Sequence, residues 1–466
     1  MPPIPDRPKL IDRFLRLFGD VQPGEGARLL VFAVNLFLLL LAYYLLKTVR
    51  EPLVLAASGG GAEMKSYAGA AQAVVLIGVA SGFGWLASHL HRMTLLTVVS
   101  LFFASNLVLF FILFKALPGS ALGLGIGFYV WVGCFSVMVI SQFWAFANEM
   151  HTKKQGERLF GIIAAGSAIG SVVGAKIAKP LFKSLGPYPL MLVAAVILLV
   201  CLGLTYVAFH MSHGDKVNDP ESDHDKPLDK KGGFALILHD KFLLFVGLLS
   251  VCKNLVNSTG EYILDRRLLD VATQKVGEDQ AARTAFIAAF KSDYFTYVNS
   301  AVLVFQLFAV SRLVKYIGVR RSLFILPIIA LGGYSSMAFF PIITVILIAK
   351  VAENSTDYSL EKTVEQMLYL VTSKEAKYKA KTITDTFAVR LGDVLSAGVV
   401  WVGTQLKFST VGFILTNIGL IAFWLVVVFF LGRLYSKKEA EHPEHALPDG
   451  KGEGGGKGKG AVVKAG

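Results

Sequence analysis

The sequence predicts an all-α membrane protein, twelve transmembrane helices in two six-helix halves. Three observations carry that prediction. The first is composition: 54% of the 466 residues are hydrophobic and 17% are charged, with a mean hydropathy of +0.58, too apolar for a soluble core wrapped in a polar surface. The second is a recurrence of apolar stretches of roughly 17 to 25 residues, the length a helix needs to cross a hydrocarbon core of about 30 Å. The third is their grouping, six before and six after a polar stretch, MSHGDKVNDPESDHDKPLDKKGG, from Met211 to Gly233.

In order, the first six stretches lie near 28–50, 66–89, 93–114, 121–148, 158–182 and 187–210. The opening one is not a cleaved signal peptide, because it is one of a dozen alike and precedes no small-residue cleavage site. The second six lie near 237–264, 293–316, 320–340, 341–361, 381–405 and 410–434. The organisation expected is an N-terminal segment over 1–27, one half over 28–210, a linker over 211–236, a second half over 237–434 and a disordered tail over 435–466, whose GEGGGKGKG is low-complexity.

Loop charges predict orientation. Arg7, Lys9, Arg13 and Arg16 precede the first span, and Lys153, Lys154 and Arg158 join the fourth to the fifth. Lys226, Lys230 and Lys231 fill the linker, and Lys374, Lys377 and Lys379 join the tenth to the eleventh. All fall on one side if the spans alternate, and basic residues resist translocation. Both termini and the linker are therefore predicted cytoplasmic, in a multi-pass protein of the cell membrane. The net charge of +13 is assigned to this topology, and no nucleic-acid partner is expected.

Several chemistries are set aside. Cys134, Cys201 and Cys252 all lie in apolar stretches and offer neither a disulfide framework nor a CxxC metal site. SGGGAE at 58–63 lacks the Gly-Lys-Ser/Thr of a phosphate-cradling loop. His89 with His91, and His442 with His445, have no third ligand nearby. No Ser, His and Asp arrangement stands out, so the chain is not read as an enzyme and no metal or cofactor is expected. Transport would run on exchange or on an ion gradient.

The two halves resemble each other. FWAFANEM closes the fourth span and leads through a basic turn into GIIAAGSAIGSVVG; AENSTDYSLEKTVEQM in the tenth leads through SKEAKYKAK into ITDTFAVRLGDVLSAG. Each places an acid with Asn near a span end, then a basic turn, then a small-residue helix, as in a parallel-repeat transporter. Gly166, Gly170 and Gly174 recur every fourth residue, a flat stripe for close helix packing that also lets helices slide.

Charges inside the spans carry the functional reading. Tyr43, Lys47, Arg50 and Glu51 share one face of the first span, Lys47 and Glu51 are spaced to pair, and Pro52 then frees the helix end. The seventh sets Lys253, Asn257, Glu261 and Asp265 at steps of four, with Arg266 and Arg267 just beyond. The tenth carries Lys350, Glu353, Asn354, Asp357 and Glu361 on one side, and the eleventh Asp385, Arg390 and Asp393. An ionised side chain at mid-bilayer costs about 2.5 to 3.5 kcal/mol even on the lenient insertion scale.

Two readings are open. Lys47, Arg50 and Glu51 snorkel to the headgroups while Arg266 and Arg267 sit in a loop, or the charges line a polar cavity. Such a cavity, built from the first, fourth, seventh and tenth helices with excess Lys and Arg on its extracellular half, suits a small anionic solute. Lys47, Arg50, Lys253, Asn257, Arg266, Arg267, Lys350, Asn354 and Arg390 are then the expected substrate-binding residues. Glu51, Asn148, Glu149, Glu261, Glu353, Asp357, Asp385 and Asp393 would orient those cations or relay protons.

At these same stretches the sequence resembles the nucleotide transporter family, the ATP/ADP translocases of plastids and obligate intracellular bacteria. The resemblance rests on YYLLKTVREPLVL in the first span, FWAFANE at 143–149, NLVNSTGEYILDRRL in the seventh, DYSLEKTVEQMLYL in the tenth and KAKTITDTFAVRLGDVLSAG in the eleventh, in the same order. It implies a major-facilitator-like fold and nucleotide exchange, ATP against ADP, by alternating access. The family has a Lys after its Arg-Leu-Gly where this chain has Asp393, an acid in the fourth span where this chain has WVGCFSVM, and an acid at the position of Asn257. The alternatives are a proton-coupled transporter of another anionic metabolite or a hydrophobic compound, and a transport-inactive scaffold or sensor. A monomer in the lipid bilayer is expected.

Overall fold

In the computed structural model of the chain, residues 10–16, 20–212, 237–372 and 380–441 are described. The linker from 213 to 236, with Lys226, Lys230 and Lys231, lies outside them, as do Arg7, Lys9, Lys374, Lys377, Lys379, His442, His445 and the tail after Glu441. The described residues form helices and connecting turns, with no strand among them.

The first six long helices are α1 (Gly26–Leu55), α2 (Ala62–His89), α3 (Arg92–Ala116), α4 (Ala121–Glu149), α5 (Lys153–Leu185) and α6 (Pro189–Ser212). Then come α7 (Lys241–Val276), α8 (Gln280–Phe308), α9 (Ile325–Phe339, preceded by Val319–Ser322), α10, α11 and α12 (Thr410–Glu441). α10 runs Ile343–Thr356, passes through a π turn at Asp357–Glu361 and continues over Lys362–Leu368; α11 starts at Lys381–Ile383, passes through a π turn at Thr384–Ala388 and continues over Val389–Gln405. Nine helices among the described residues are long and apolar enough to cross a membrane, or ten counting α8 with the adjoining Val310–Ile317, bent by 51°.

Local chemistry explains the ends. Thr152 and Gln155 form a reciprocal capping box at the start of α5. The Asp240 and Asp279 side chains accept from Phe242 N and Ala281 N at the starts of α7 and α8. Gly186 and Gly277 close α5 and α7 at φ +79° and +69°, conformations that an L side chain strains to adopt. Pro52 does not end α1; the helix continues through it to Leu55. The amide that Pro52 lacks removes one hydrogen bond, and the close packing around Leu53, Val54 and Leu55 holds the last turn.

The apolar core divides in two. One cluster is built almost wholly from α1, α3, α4, α5 and α6, around Phe32, Phe128, Phe135 and Phe146. The other is built chiefly from α7 to α12, around Phe242, Tyr334, Phe413 and Trp424. Large apolar side chains such as Phe102, Val196, Ile328 and Phe423 are exposed on α3, α6, α9 and α12, the surface a bilayer would cover. Asn35, the polar residue in the middle of α1, is buried and its amide N–H donates to Thr205 of α6 at 2.9 Å, a bond that lipid could not supply.

The halves meet where α1 and α5 pack on α8, and α2 on α7 and α11. Within the first half, the glycine stripe of α5 lies against the backbone of α1. A Cβ on Gly166, Gly170 or Gly174 would collide with the main chain at Ala33, Phe37 or Leu41, the last at 2.8 Å. The stripe is thus a packing device, and α1 is held by backbone proximity along the middle of its length. Gly170→Ala is expected to destabilise the protein by about 1 to 3 kcal/mol through overpacking, and Gly170→Leu to prevent recovery of folded protein. Thermal unfolding in detergent checks this; an unchanged midpoint for Gly170→Ala would show that the two helices have room to spare.

Candidate functional site: a charged cavity between the halves

Between the halves lies a cavity of about 350 Å³, walled by α1, α2, α4, α7, α8, α10 and α11. Of the residues expected from sequence, Lys47, Arg50, Glu51, Asn257, Glu261, Asn354, Arg390 and Asp393 line it. Tyr43, Tyr44, Tyr129, Tyr294, Phe295 and Tyr358 supply an aromatic wall. The walls from α2 and α8 are not among those expected from sequence.

Toward the end carrying the α1–α2 and α7–α8 connections, the cavity is sealed by buried ions. Lys65 of α2 contacts Glu51 of α1 and pairs with Asp265 of α7 at 2.5 Å. Lys291 of α8 reaches Asp265 at 2.6 Å, and Glu51 and Glu261 at 3.7 Å. The side chains of Glu51, Asp265 and Lys291 are 3%, 2% and 0% exposed. Alternation of sign is what makes the burial tolerable, since each carboxylate touches at least one ammonium. The lattice also ties the halves together, α1 and α2 to α7 and α8. Tyr44 donating to Asn299 at 2.9 Å and Tyr262 donating to Glu63 at 2.8 Å reinforce it.

Farther from that end the lining opens. The side chains of Glu261 and Arg390 are 25% and 22% exposed, and Tyr358 is exposed. Asp393 is held by Arg390 at 3.0 Å, Asn254 at 2.7 Å and Ser258 at 2.8 Å. Gly392 permits this, because a Cβ there would meet Asn254 Cβ at 2.8 Å and Leu255 N at 3.0 Å. Asn354 donates to Glu261 at 2.9 Å, and Tyr294 donates to the same carboxylate at 2.5 Å.

The cation surplus expected along the wall is not there: Lys47, Arg50, Lys65 and Arg390 face Glu51, Glu261, Asp265 and Asp393. What matters is which cations are committed. The expected Lys47–Glu51 pair does not form, because Glu51 turns to Lys65 and Lys291. Lys47 lies instead over the ring of Phe295, 4.4 Å from its centre, with Tyr43 and Tyr44 beside it. Arg50 stacks on Tyr129 at 4.3 Å and keeps only a loose 3.6 Å contact with Glu51. These two are the cations an incoming anion would find least neutralised.

Other expected binding residues lie elsewhere. Lys253 is 12 residues before Asp265 on α7, and steps of four drift by about 40° each on a helix, so it faces α10 rather than the cavity. There it pairs with Asp357 at 3.0 Å and Glu365 at 2.8 Å. Lys350 is fully buried behind the wall, bonded to Glu353 at 2.9 Å and to the Asn257 carbonyl at 3.2 Å, and Tyr334 of α9 donates to Glu353 at 3.1 Å. Arg266 and Arg267 belong to α7, which runs past them, not to a loop. Arg266 donates to the Phe408 carbonyl at 3.0 Å and Arg267 meets Asp270 at 3.5 Å, on faces turned from the cavity. Asn148 and Glu149 are exposed at the far end of α4, roughly 18 Å along the helix from cavity-lining Ser136 at 1.5 Å per residue. Asp385 lies 3.7 Å from Lys362, off the cavity. Among the described residues no group of three or more potential ligands is placed to hold a metal ion.

An all-helical two-half bundle around a charged central cavity is the architecture of a membrane transporter of the major facilitator type. Solved structures agree on that fold. The nucleoside transporter NupG superposes with a TM-score of 0.60 at 12% identity, covering 88% of this chain and 99% of that one. The POT family transporter PepTSo gives 0.59 at 12%, covering 88% and 98%. A bacterial homologue of the human lysosomal transporter Spinster gives 0.56 at 10%, covering 90% and 98%.

No family model matches the chain. Curated relatives are ADP,ATP carrier protein 1 of Chlamydia trachomatis, 19% identical over 359 residues (67% of this chain, 66% of that protein), and of Chlamydia pneumoniae, 21% identical over 352 residues (66% of each). The chain thus spans just under two thirds of the length of the carriers it matches, and is similar to them at low identity.

The ion lattice makes a quantitative expectation. Lys65→Ala and Asp265→Ala should each destabilise the protein by about 3 to 5 kcal/mol, since each leaves a buried charge short of a partner. The double variant should lose less than the sum, with a coupling energy above about 1 kcal/mol. Unfolding midpoints of the four proteins measure it, and strict additivity would show that the pair does not hold the halves together.

Proposed function

We propose that the chain exchanges adenine nucleotides, ATP against ADP, across a cell membrane by alternating access. The observation that carries this reading is the position of Lys47, held over aromatic rings, and Arg50, stacked on Tyr129 with one carboxylate at 3.6 Å, in a cavity sealed at one end and more exposed toward the other. A polyphosphate fits the forked guanidinium of Arg50 and the mobile point charge of Lys47, with Arg390 across the cavity. A purine offers a π-face to Tyr43, Phe295 or Tyr358. The names of the curated relatives support the same cargo.

The mechanism rests on the lattice. Opening the sealed end requires Lys65 to leave Asp265 and Lys291 to leave Glu51; each half then keeps one ion pair, Lys65 with Glu51 and Lys291 with Asp265, and each buried lysine loses its second carboxylate. A phosphate anion drawn to Lys47 and Arg50 supplies negative charge beside Lys65 and Lys291 as Glu51 and Asp265 move apart. An empty cavity supplies none, so return without cargo is disfavoured and exchange results. The halves that rock are 28–210 and 237–434, joined by the linker 211–236, with α12 running on to Glu441 past the expected start of the tail at 435. Basic residues in the connections support cytoplasmic termini, and with that orientation the sealed end is extracellular. One copy of the chain suffices for this cycle.

One feature favours a second reading, a less highly charged anion. The resembling family carries a Lys after Arg-Leu-Gly; here Asp393 occupies that place and consumes Arg390, Asn254 and Ser258. A thermal-shift panel of ATP, ADP, phosphate and carboxylate anions separates the two, because stabilisation scales as RT ln(1 + [L]/Kd).

Proteoliposomes preloaded with ADP are expected to take up labelled ATP only when internal nucleotide is present. Lys47→Ala and Arg50→Ala should each reduce the rate by about 10- to 100-fold, the loss of one charge-assisted phosphate contact. Arg267→Ala, off the cavity, should leave it within about twofold. Uptake indifferent to Lys47 and Arg50 together would overturn the reading, and so would a transport-inactive scaffold whose phenotype survives that double substitution.

A further inference from the structure

A second cluster of ionisable groups lies where α10 passes through its π turn, on the side of the bundle away from the sealed end. Asp357, Glu361 and Glu365 succeed one another at steps of four, and one lysine, Lys253 of α7, stands among them. Lys253 is committed to Asp357 at 3.0 Å and Glu365 at 2.8 Å. Lys362, half exposed, adds a 3.6 Å contact to Glu365 from the surface. Glu361 differs from its neighbours: it is wholly buried, and neither carboxylate oxygen has a hydrogen-bond partner. The charged groups acting on it are Glu365 and Asp357 from its own helix and Lys253 from α7.

Three buried carboxylates against one buried ammonium leave unbalanced negative charge, and two of the acids already hold the lysine. An ionised Glu361 in this setting would have neither solvent nor a donor to stabilise it. The carboxylates are not placed to cage a metal ion. A π turn is a frequent site of functional adjustment, since the extra residue can be passed along the helix and rotate the turns beyond it.

We propose that Glu361 is a proton-binding site: it holds a proton in the conformation seen here and exchanges it when α10 moves, coupling transport to proton movement. The O–H bond of the Glu361 carboxylic acid breaks, the proton passes to water in the opened cavity, and the carboxylate formed takes Lys253 as its counter-ion in place of Asp357 or Glu365. Coupling rests on the transporter reading above; proton binding does not.

Three measurements test the proposal. In the purified full-length protein, infrared spectroscopy should show the C=O band of a buried carboxylic acid that persists at about pH 8, far above the ordinary glutamate range near 4. Glu361→Gln should remove that band, and Glu365→Gln should keep it. In the unsubstituted protein, a hydrophobic carbodiimide that attacks protonated carboxyls should place its adduct on Glu361, read by peptide mass spectrometry. In ADP-loaded proteoliposomes, Glu361→Gln should exchange ATP at a rate within about threefold of the parent while losing the effect of an imposed pH gradient. Absence of the band together with an unmodified Glu361 overturns proton binding, as does stabilisation by Na⁺ at fixed pH that Glu361→Gln abolishes. A pH-gradient response retained in Glu361→Gln overturns coupling. If the parent fails to exchange ATP at all, the nucleotide reading falls while the band and the adduct still decide this one.

Discussion

The constraint on which the rest of this structure depends is that a charge inside a membrane must be matched by another protein group. Glu51, Lys65, Asp265 and Lys291 meet it by alternating in sign within one buried knot. Each of the four comes from a different helix, and two belong to each half. Closure therefore gives each buried lysine a second carboxylate, from the opposite half. Each half holds one pair of its own, Lys65 with Glu51 and Lys291 with Asp265, and closure adds the contacts Lys65–Asp265 and Lys291–Glu51 between halves.

Around that knot the remaining features fall into two groups. Backbone proximity at Gly166, Gly170 and Gly174 packs α5 tightly on α1 in the first half. The second half is less regular, with π turns in both α10 and α11 and with Lys253 and Lys350 each neutralised by α10 carboxylates. The groups most open to cargo, Lys47 and Arg50, sit on α1 between the knot and the more exposed part of the cavity.

Much of the fold was legible from the sequence, because hydropathy alone marks segments that lipid can cover, and the grouping about a polar linker suggested two halves. The first-span charges were legible for a related reason: Lys47, Arg50 and Glu51 close a long apolar run, so their burial demanded an explanation. Lys65 and Lys291 were missed by the same logic. A charge terminates an apolar window, and the expected spans began at 66 and 293, whereas the helices begin at Ala62 and Gln280. Both lysines thus looked like loop residues. Charged residues just outside an apolar run, at the spacing of one further helical turn, were the signal available.

The face assigned to Lys253 failed because a four-residue step drifts round a helix. On α10, Lys350 and Glu353 bond to the Asn257 carbonyl and Tyr334 while Asn354, about 100° on from Glu353, reaches the cavity, and of the residues assigned to that one side only Asp357 and Glu361 lie in the π turn. Arg266 and Arg267 were placed by adjacency to Asp265, but neighbours along a helix point about 100° apart. Their partners, Phe408 and Asp270, became visible only with α12 and the end of α7 in place.

The central claim is that the buried ions close one end of the cavity and that anionic cargo lets them part. Electron–electron double resonance tests it most directly, with spin labels at Gly59 and Glu278, at the tips of the α1–α2 and α7–α8 connections. Without ligand a single short distance is predicted, and ATP or ADP should populate a second, longer one. A distribution that ignores nucleotide, and stays short even when Lys65 and Asp265 are both replaced by Ala, would contradict the account.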